Sequence, residues 1–408
     1  MPRTPRLLAL SALLLTAAPL AAQTSYPMIT HTAPVAVRRG QTAEVTVSGR
    51  MNFAGAYKVL LEGEGVAAEV VQAAAGKAAK APANVTSVKL RVDVAPGAPL
   101  GVREFRVATE RGISTLGQLL VVADPVVSEK GPNDTPDKAV ELPLPGVACG
   151  FIEKAEDVDC FRFRGRAGQV VTFDVFCARL QDKIHDLQKH ADPLIVLLDA
   201  EGRELAASDD GTFADPLLEV TLPKDGDYVL QIRDAVYAGD PRWVYAVQAT
   251  DRPYVRQIFP LAVNPGRQTD VEPVGSAARS QTRVALTAPE EAGVHAVSLR
   301  IGDQETNPAA LVVTPLPLSN EAEPNDEPAK ANKLAIPGGV NGRAGKARDL
   351  DHFAFRGAKG KALRFEVFAR RFGTVLTSDL DAIVEVLSAE GAVVASNDDA
   401  EGKDPVLV

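Results

Sequence analysis

The chain is poor in the residues that most catalytic and metal-centred sites require. Its 408 residues include five histidines, three cysteines and one tryptophan. It has no His-Glu-x-x-His pattern, no Gly-x-Ser-x-Gly elbow and no phosphate-binding loop. Aromatic residues make up 5% of the chain, which disfavours an aromatic surface for holding an extracellular polymer. The sequence therefore predicts a protein that is not an enzyme.

A surplus of positive charge is also lacking. Lysine and arginine number 44 against 53 aspartates and glutamates, which gives a formal net charge of −9. Binding to nucleic acid or to an anionic membrane requires a basic face. Neither is therefore predicted as a partner.

Residues 1–22 have the features of a secretory signal sequence. Arg3 and Arg6 precede a short apolar run at 7–18, and alanines at 21 and 22 offer a cleavage site before Gln23. The run is shorter than the roughly 20 residues that cross a bilayer, and no later stretch is long enough. The sequence predicts a secreted, periplasmic or cell-surface protein with no membrane span after cleavage.

Strand patterns dominate the rest of the chain. Residues 169–176 alternate after a turn, as a half-buried strand does, and residues 194–198 form a continuous apolar run typical of a core strand. Hydrophobic residues make up 46% of the chain, and 32 glycines and 29 prolines supply many turns. With no long helical periodicity, this composition predicts an all-β protein.

A long internal repeat organises these strands. Residues 128–134 read Ser-Glu-Lys-Gly-Pro-Asn-Asp, and residues 320–326, shifted by 192, read Asn-Glu-Ala-Glu-Pro-Asn-Asp. At the same shift, Asp-Val-Asp-Cys-Phe-Arg-Phe at 157–163 corresponds to Asp-Leu-Asp-His-Phe-Ala-Phe at 349–355. The second copy stops early, because Val408 corresponds to Glu219. The missing strands would leave an open sheet edge, so we expect the chain to continue in its parent gene or the sequence to be a fragment.

The repeated pattern resembles the bacterial pre-peptidase C-terminal domain family, which is similar to the collagen-binding domains of clostridial collagenases. This resemblance implies a jelly-roll-like β-sandwich attached to secreted proteases and other large exported proteins. The intervening segments look like immunoglobulin-type sandwiches. The predicted order is a signal sequence (1–22), an immunoglobulin-like sandwich (23–125), a pre-peptidase C-terminal-like sandwich (126–250), a second immunoglobulin-like sandwich (251–318) and a truncated second copy (319–408).

The acidic segments at the start of each copy are candidate calcium sites. Ca²⁺ takes six to eight oxygen ligands, and the resemblance implies that an acidic entry segment and a later aspartate pair supply them. The predicted ligands of the second copy are Glu321, Glu323, Asn325, Asp326, Asp349 and Asp351. Those of the first copy are Glu129, Asn133, Asp134, Asp157 and Asp159, with Gly131 in place of the glutamate. The alternative is an Asx-turn entry, in which Asn and Asp bond to their own backbone.

Other polar groups give weaker signals. Export permits disulfides, and a hairpin over 151–159 would place Cys149 opposite Cys160, with Cys177 left as a free thiol; another pairing or three buried thiols is the alternative. The loop at 185–192 holds two histidines and two aspartates, but their spacing matches no zinc pattern. An exposed polar loop is therefore favoured over a metal site, and recognition of a partner is one role that such a loop could have. The aspartates at 209, 210 and 215, repeated at 398, 399 and 404, are interpreted as solvated turns, with cation binding as the alternative.

The leading functional hypothesis is a secreted, non-catalytic, multi-domain binding or spacer protein whose domain junctions are stabilised by structural calcium. One alternative is the accessory region of a secreted protease whose catalytic domain is absent or truncated. Another is an adhesin for an extracellular polymer. The partner would be an extracellular protein or polysaccharide that the sequence does not identify.

Overall fold

The computed structural model describes residues 26–51, 53–71, 85–181, 189–212, 214–277, 281–369, 371–372, 375–376, 380–400 and 404–408. Nearly all regular structure in these residues is β-strand, arranged in successive sandwiches, which confirms the all-β prediction. The predicted signal sequence lies outside the described residues. No helix in the described residues is both long and apolar enough to cross a lipid bilayer.

The part of the first sandwich that the structure describes has nine strands. They are β1 (Met28–Ala33), β2 (Ala36–Arg38), β3 (Thr42–Arg50), β4 (Lys58–Leu61), β5 (Val66–Val70), β6 (Ser87–Val94), β7 (Gly101–Thr109), β8 (Gly112–Ile113) and β9 (Gly117–Val122). One sheet has the order β1-β3-β6-β5, and the other has the order β2-β9-β7-β4 with β8 beside β7. Val45 and Val47 alternate with more exposed residues along β3 and face a core that includes Phe53 and Phe105.

The second sandwich is the largest. Its elements are β10 (Val126–Ser128), β11 (Val140–Glu141), β12 (Gly146–Phe151), β13 (Val158–Gly165), β14 (Val170–Phe176), α1 (Ala178–Gln181), β15 (Pro193–Leu198), β16 (Glu204–Ser208), β17 (Leu217–Thr221), β18 (Gly226–Asp234) and β19 (Val244–Thr250), with a 3₁₀ turn at Pro136–Lys138. The sheet orders are β10-β12-β19-β14-β17 and β11-β13-β18-β15-β16. The two stretches predicted as strands from their apolar patterns form β14 and β15, and both line the core.

The third sandwich is smaller. Its strands are β20 (Gln257–Phe259), β21 (Ala262–Val263), β22 (Gln268–Val274), β23 (Val284–Thr287), β24 (Gly293–Ile301) and β25 (Gln304–Val313). Its sheet orders are β20-β22-β23 and β21-β25-β24. Buried Val271, Leu299 and Leu311 form the centre of its core.

The fourth unit contains short, two-stranded sheets. Its strands are β26 (Leu318–Asn320), β27 (Asn332–Lys333), β28 (Gly339–Asn341), β29 (Phe353–Ala354), β30 (Phe365–Glu366), β31 (Arg371–Phe372), β32 (Val375–Leu376), β33 (Val384–Leu387), β34 (Val393–Asn397) and β35 (Val406–Leu407), with a 3₁₀ turn at Pro328–Lys330. The pairs are β26-β28, β27-β29, β30-β35, β31-β32 and β33-β34.

The first and second sandwiches share an apolar interface. Leu120 and Val122 on the outer face of one sheet pack against Cys149, Phe176 and neighbouring apolar residues on the outer face of a sheet in the second sandwich. Burying these side chains between two sheets favours a fixed arrangement of the two units, because separation would expose them to water.

A buried polar network joins the second sandwich to the third. The Tyr254 hydroxyl donates to Asp174 Oδ2 at 2.8 Å, and Arg179 Nη2 donates to Asp174 Oδ1 at 2.6 Å. Asp215 is fully buried and accepts from Arg179 Nε at 2.9 Å and from the Ala178 N–H at 2.6 Å. Asp215 is therefore a structural anchor for α1, which corrects its interpretation as part of a solvated turn.

The predicted Cys149–Cys160 disulfide is wrong in this structure, where all three cysteines are free and buried. The chain does turn between β12 and β13, but the two strands enter different sheets instead of pairing as a hairpin. Cys149 faces the first sandwich, whereas Cys160 packs with Leu198 and Val229 in a separate cluster. The third thiol, Cys177, lies in the main core.

Candidate metal centre

The acidic entry segment of the fourth unit brings three carboxylates together. Glu321, Glu323 and Asp351 each place one oxygen within 4.8 Å of the others. The segment follows β26, and the His352 N–H donates to the Asn325 carbonyl at 3.1 Å. This backbone bond holds the entry segment beside the residues that precede β29, so ligands far apart in sequence become neighbours.

Asn325 completes this group from the buried side. It is fully buried, and one terminal atom of its side-chain amide lies 3.2 Å from Asp351 Oδ1 and 3.0 Å from Glu323 Oε2. If that atom is nitrogen, it donates to both carboxylates; if it is oxygen, it joins them as a fourth oxygen ligand. Carboxylate and amide oxygens are the ligands that Ca²⁺ prefers.

The carboxylates of this cluster resist ionising together. Burial raises the pKa of Glu321, and the nearby charges of Asp351 and Glu323 add to the rise. Burial also raises the pKa of Asp351, with further contributions from Asp349 and Glu323. Like charges at close range disfavour the charged forms, and a divalent cation would reverse that effect.

Two of the six predicted ligands of this copy are held elsewhere. Lys346 Nζ lies 2.8 Å from Asp326 Oδ1 and 3.4 Å from Asp349 Oδ1. Asp349 Oδ2 also accepts from the Gly345 N–H at 2.6 Å. The hydrogen bond from Lys346 lowers the pKa of Asp326. Asp326 and Asp349 therefore form ion pairs with a lysine beside the cluster.

In the first copy, a tyrosine takes part in the corresponding group. The Tyr245 hydroxyl donates to Asp159 Oδ2 at 2.7 Å and lies 3.3 Å from Glu129 Oε2. Burial, with Glu129 beside it, raises the pKa of Asp159 to about 9. Burial also raises the pKa of Glu129. Gly131 stands where the second copy has Glu323, so this group has one carboxylate fewer. With its raised pKa, Asp159 keeps its proton at neutral pH.

The remaining first-copy residues repeat the arrangement around the lysine. Lys154 Nζ lies 3.6 Å from Asp157 Oδ1, and Asp157 Oδ2 accepts from the Glu153 N–H at 2.7 Å. Asn133 is buried, and its Nδ2 has no hydrogen-bond partner among the described residues, while Asp134 is exposed. Whether either copy binds calcium through these side chains stays a prediction.

Sequence reasoning missed Lys154 and Lys346, although they occupy the same position at the 192-residue shift. The sequence did contain an indication of this role, because both copies have a lysine at the same position among their repeated acidic residues. Tyr245 lies far along the chain from the acidic segment, so no local pattern pointed to it.

Residues 185–188 of the predicted polar loop at 185–192 lie outside the described residues. At its end, the Trp243 indole N–H donates to the Lys189 carbonyl at 3.0 Å. The chain's tryptophan therefore anchors the base of this loop and is buried in the core.

Comparisons with known proteins cover parts of the chain. No family model matches it. A probable subtilase-type serine protease of Deinococcus radiodurans is 38% identical over 88 residues, which are 21% of this chain and 12% of that protein. The chain therefore spans well under two thirds of that relative.

Three solved structures show weak similarity. The pre-peptidase C-terminal domain of a Bacillus anthracis collagenase matches with 14% identity, over 27% of this chain and 93% of that chain, with a TM-score of 0.21. The secreted serine protease VesC of Vibrio cholerae matches with 10% identity, over 52% and 47%, with a TM-score of 0.19. The glucan-utilisation protein SGBP-B of Bacteroides ovatus matches with 9% identity, over 52% and 71%, with a TM-score of 0.17.

Proposed function

We propose that this chain is an exported, non-catalytic binding or spacer region in which Ca²⁺ stiffens the junction between the third sandwich and the fourth unit. Glu321, Glu323, Asn325 and Asp351 would hold the ion. The single observation that carries the proposal is that one residue, Arg343, touches both this cluster and the third sandwich.

Arg343 makes this link with both its backbone and its side chain. Its N–H donates to Glu321 Oε1 at 2.5 Å. Its guanidinium lies 2.7 Å from Glu272 Oε2 and 3.9 Å from the centre of the Phe259 ring, both in the third sandwich. An ion that fixes Glu321 would thereby fix the residue that holds the neighbouring unit.

A second contact supports the same junction. The Ala262 N–H of the third sandwich donates to Asn341 Oδ1 at 2.6 Å, and Asn341 Nδ2 donates back to the Ala262 carbonyl at 3.1 Å. Asn341 is buried and ends β28, two residues before Arg343. The unit boundary is therefore already ordered by paired hydrogen bonds, and calcium would add to a formed interface.

Calorimetry of the full chain in Ca²⁺ and in EDTA tests the proposal. We expect Ca²⁺ to raise the melting temperature of one transition, since a ligand at about 100 times its Kd adds about 2.7 kcal/mol. Glu323→Gln should abolish the rise, whereas Glu327→Gln, an exposed change in the same segment, should leave it intact. Identical profiles in Ca²⁺ and EDTA would rule out structural calcium.

The match to a subtilase-type protease favours a second candidate, in which the chain is the accessory region of a secreted protease. Under this hypothesis, the purified chain should not hydrolyse casein but should bind an extracellular protein or polysaccharide. Pull-downs on protein and glycan panels would identify the partner. Casein hydrolysis lost on treatment with a serine-protease inhibitor would instead place catalysis within this chain.

A further inference from the structure

The third sandwich lacks two strand positions that are filled in the first. Its sheets β20-β22-β23 and β21-β25-β24 match β1-β3-β6 and β2-β9-β7 in order, without counterparts of β5 and β4 in the described residues. In the first sandwich, the 36 residues between β3 and β6 (51–86) contain both of those strands. Only nine residues (275–283) connect β22 to β23, which is too short to supply two strands.

As a result, β24 is an edge strand among the described residues, whereas β4 covers part of its counterpart β7. In the first sandwich, β4 pairs with residues 105–108 of β7 and places Val59 opposite Val107. At the 192-residue shift, these β7 residues correspond to 297–300 of β24. The uncovered strand is nine residues long and reads Gly-Val-His-Ala-Val-Ser-Leu-Arg-Ile, with Arg300 as its one permanent charge. Natural proteins usually protect long, apolar edges with charges, prolines or covering segments. β24 has one charge and no proline, and its pairing with β25 is irregular between Ser298 and Arg300.

The backbone of β24 offers hydrogen-bonding groups to this open edge. Val312, which pairs with Val294, donates its N–H to Leu261 O at 2.9 Å on the opposite side of β25. Val294 and Val312 are therefore not hydrogen-bonded to each other. Pro308 lies four residues before Val312 in β25, on the same side of the ladder, and it has no N–H to donate to β24. In an antiparallel ladder, hydrogen-bonded pairs of residues alternate with pairs that are not hydrogen-bonded. The N–H and C=O groups of Val294 and Ala296 therefore point to the open edge.

A cleft of about 480 Å³ adjoins the same strand. Val294 and Ala296, both exposed, line it from the third sandwich, while Val102 and Leu120 line it from the first and Leu217 from the second. A segment paired with β24 would therefore place alternate side chains in this cleft. Its other side chains would lie next to those of the core-facing residues of β24.

We infer that the open edge of β24 around Ala296 binds an extended polypeptide segment with alternating apolar side chains. The segment would lie beside the stretch of β24 that corresponds to the β4-paired part of β7. Binding by strand addition takes its affinity from backbone hydrogen bonds and its specificity from alternate side chains. The first sandwich indicates this occupant, since β4 reads Lys-Val-Leu-Leu and buries Val59 beside β7. The inference is independent of the calcium site, which lies in another unit.

Fluorescence anisotropy of the full chain with a labelled peptide, Tyr-Lys-Val-Leu-Leu-Glu (the sequence of residues 57–62), tests this inference. The peptide should bind the wild type equally in Ca²⁺ and in EDTA. Ala296→Pro removes one N–H that points to the open edge and leaves the hydrogen bonds between β24 and β25 in place. Because one hydrogen bond to the peptide is lost, the variant should bind the peptide about tenfold more weakly, or weaker still. Ala296→Val keeps the N–H and should bind like the wild type.

A second probe avoids any effect of the variant on folding. The same peptide, N-methylated at alternate residues, keeps its side chains but cannot complete the ladder, so it should not bind the wild-type chain. Equal binding of the methylated and unmethylated peptides, or equal binding by Ala296→Pro and Ala296→Val, would overturn strand addition. The wild-type chain could instead fail to bind the peptide but associate with itself, and Ala296→Pro could abolish that association. This result would overturn the peptide as occupant and identify a second copy of the chain instead.

Discussion

Arg343 and Glu272 form an ion pair of 2.7 Å across the boundary between the third sandwich and the fourth unit. The hydrogen bond from Arg343 lowers the pKa of Glu272, so the pair is charged over the whole neutral range. The same arginine donates its N–H to Glu321 in the acidic cluster. At the corresponding position one repeat earlier, the Phe151 N–H donates to Glu129 at 3.2 Å, and the Phe151 ring packs edge-on against His31 of the first sandwich.

Replacing Arg343 should loosen the junction. Arg343→Ala removes the partly exposed ion pair and the contact with the Phe259 ring, and should lower the free energy of unfolding by about 0.5–1 kcal/mol. It should also reduce the effect of Ca²⁺ on the third sandwich. Thermal unfolding with and without Ca²⁺ measures both quantities. Arg356→Ala, an exposed change in the same unit, is the control; equal effects of the two variants would contradict a junction role.

Asp159 should make stability depend on pH. Its pKa of about 9 in the folded chain exceeds the value of about 3.9 for an unfolded aspartate. Between these pKa values the folded state therefore holds one proton that the unfolded state does not. The resulting contribution to the free energy of unfolding is complete below about pH 4 and is lost as the pH rises towards 9. Over this range, each rise of one pH unit lowers the free energy of unfolding by about 1.4 kcal/mol.

Asp159→Asn should flatten this dependence, because the amide keeps the shape of the protonated carboxyl and cannot ionise. Urea unfolding at pH 5, 7 and 9 compares the slopes for the wild type and the variant. Asp227→Asn, an exposed change in the same sandwich, should keep the wild-type slope. A wild-type stability that stays constant from pH 5 to 9 would show that Asp159 is ionised in the folded chain.

Tyr254→Phe should destabilise the contact between the second and third sandwiches. The variant loses the hydroxyl that donates to Asp174 Oδ2, and both residues are buried. Leaving a buried carboxylate oxygen without this donor costs about 1–3 kcal/mol. Chemical denaturation measures the loss. Tyr57→Phe, at a tyrosine that is 62% exposed, should change stability little, and a similar loss in both variants would count against the buried network.

The three cysteines should all be free thiols with low reactivity. Burial raises the pKa of Cys149 to about 12, so little reactive thiolate forms at neutral pH. Mass spectrometry after alkylation without reductant should show slow modification of the native chain and three modifications of the unfolded chain. A single modification of the unfolded chain would instead demonstrate a disulfide.

Local sequence patterns were sufficient for the strands. The alternation at 169–176 and the apolar run at 194–198 predicted β14 and β15, because a strand that covers a core must show these patterns along its own length. The domain boundaries and the calcium ligands stay predictions. The family resemblance implied the ligand positions, and the repeat shift related those of one copy to those of the other. The edge position of β24 was not apparent, since it depends on strands that are present elsewhere in the chain.

The sequence by itself determined the β-rich character, the repeat and the two acidic entry segments, since each is written in consecutive residues. Only the tertiary structure decided which acids meet. Glu321, Glu323 and Asp351 converge, whereas Asp326 and Asp349 turn to Lys346. It also separated Cys149 from Cys160 by sending their strands to different sheets. Sheet membership is set by pairing between distant strands, and spacing along the chain carries no record of that pairing.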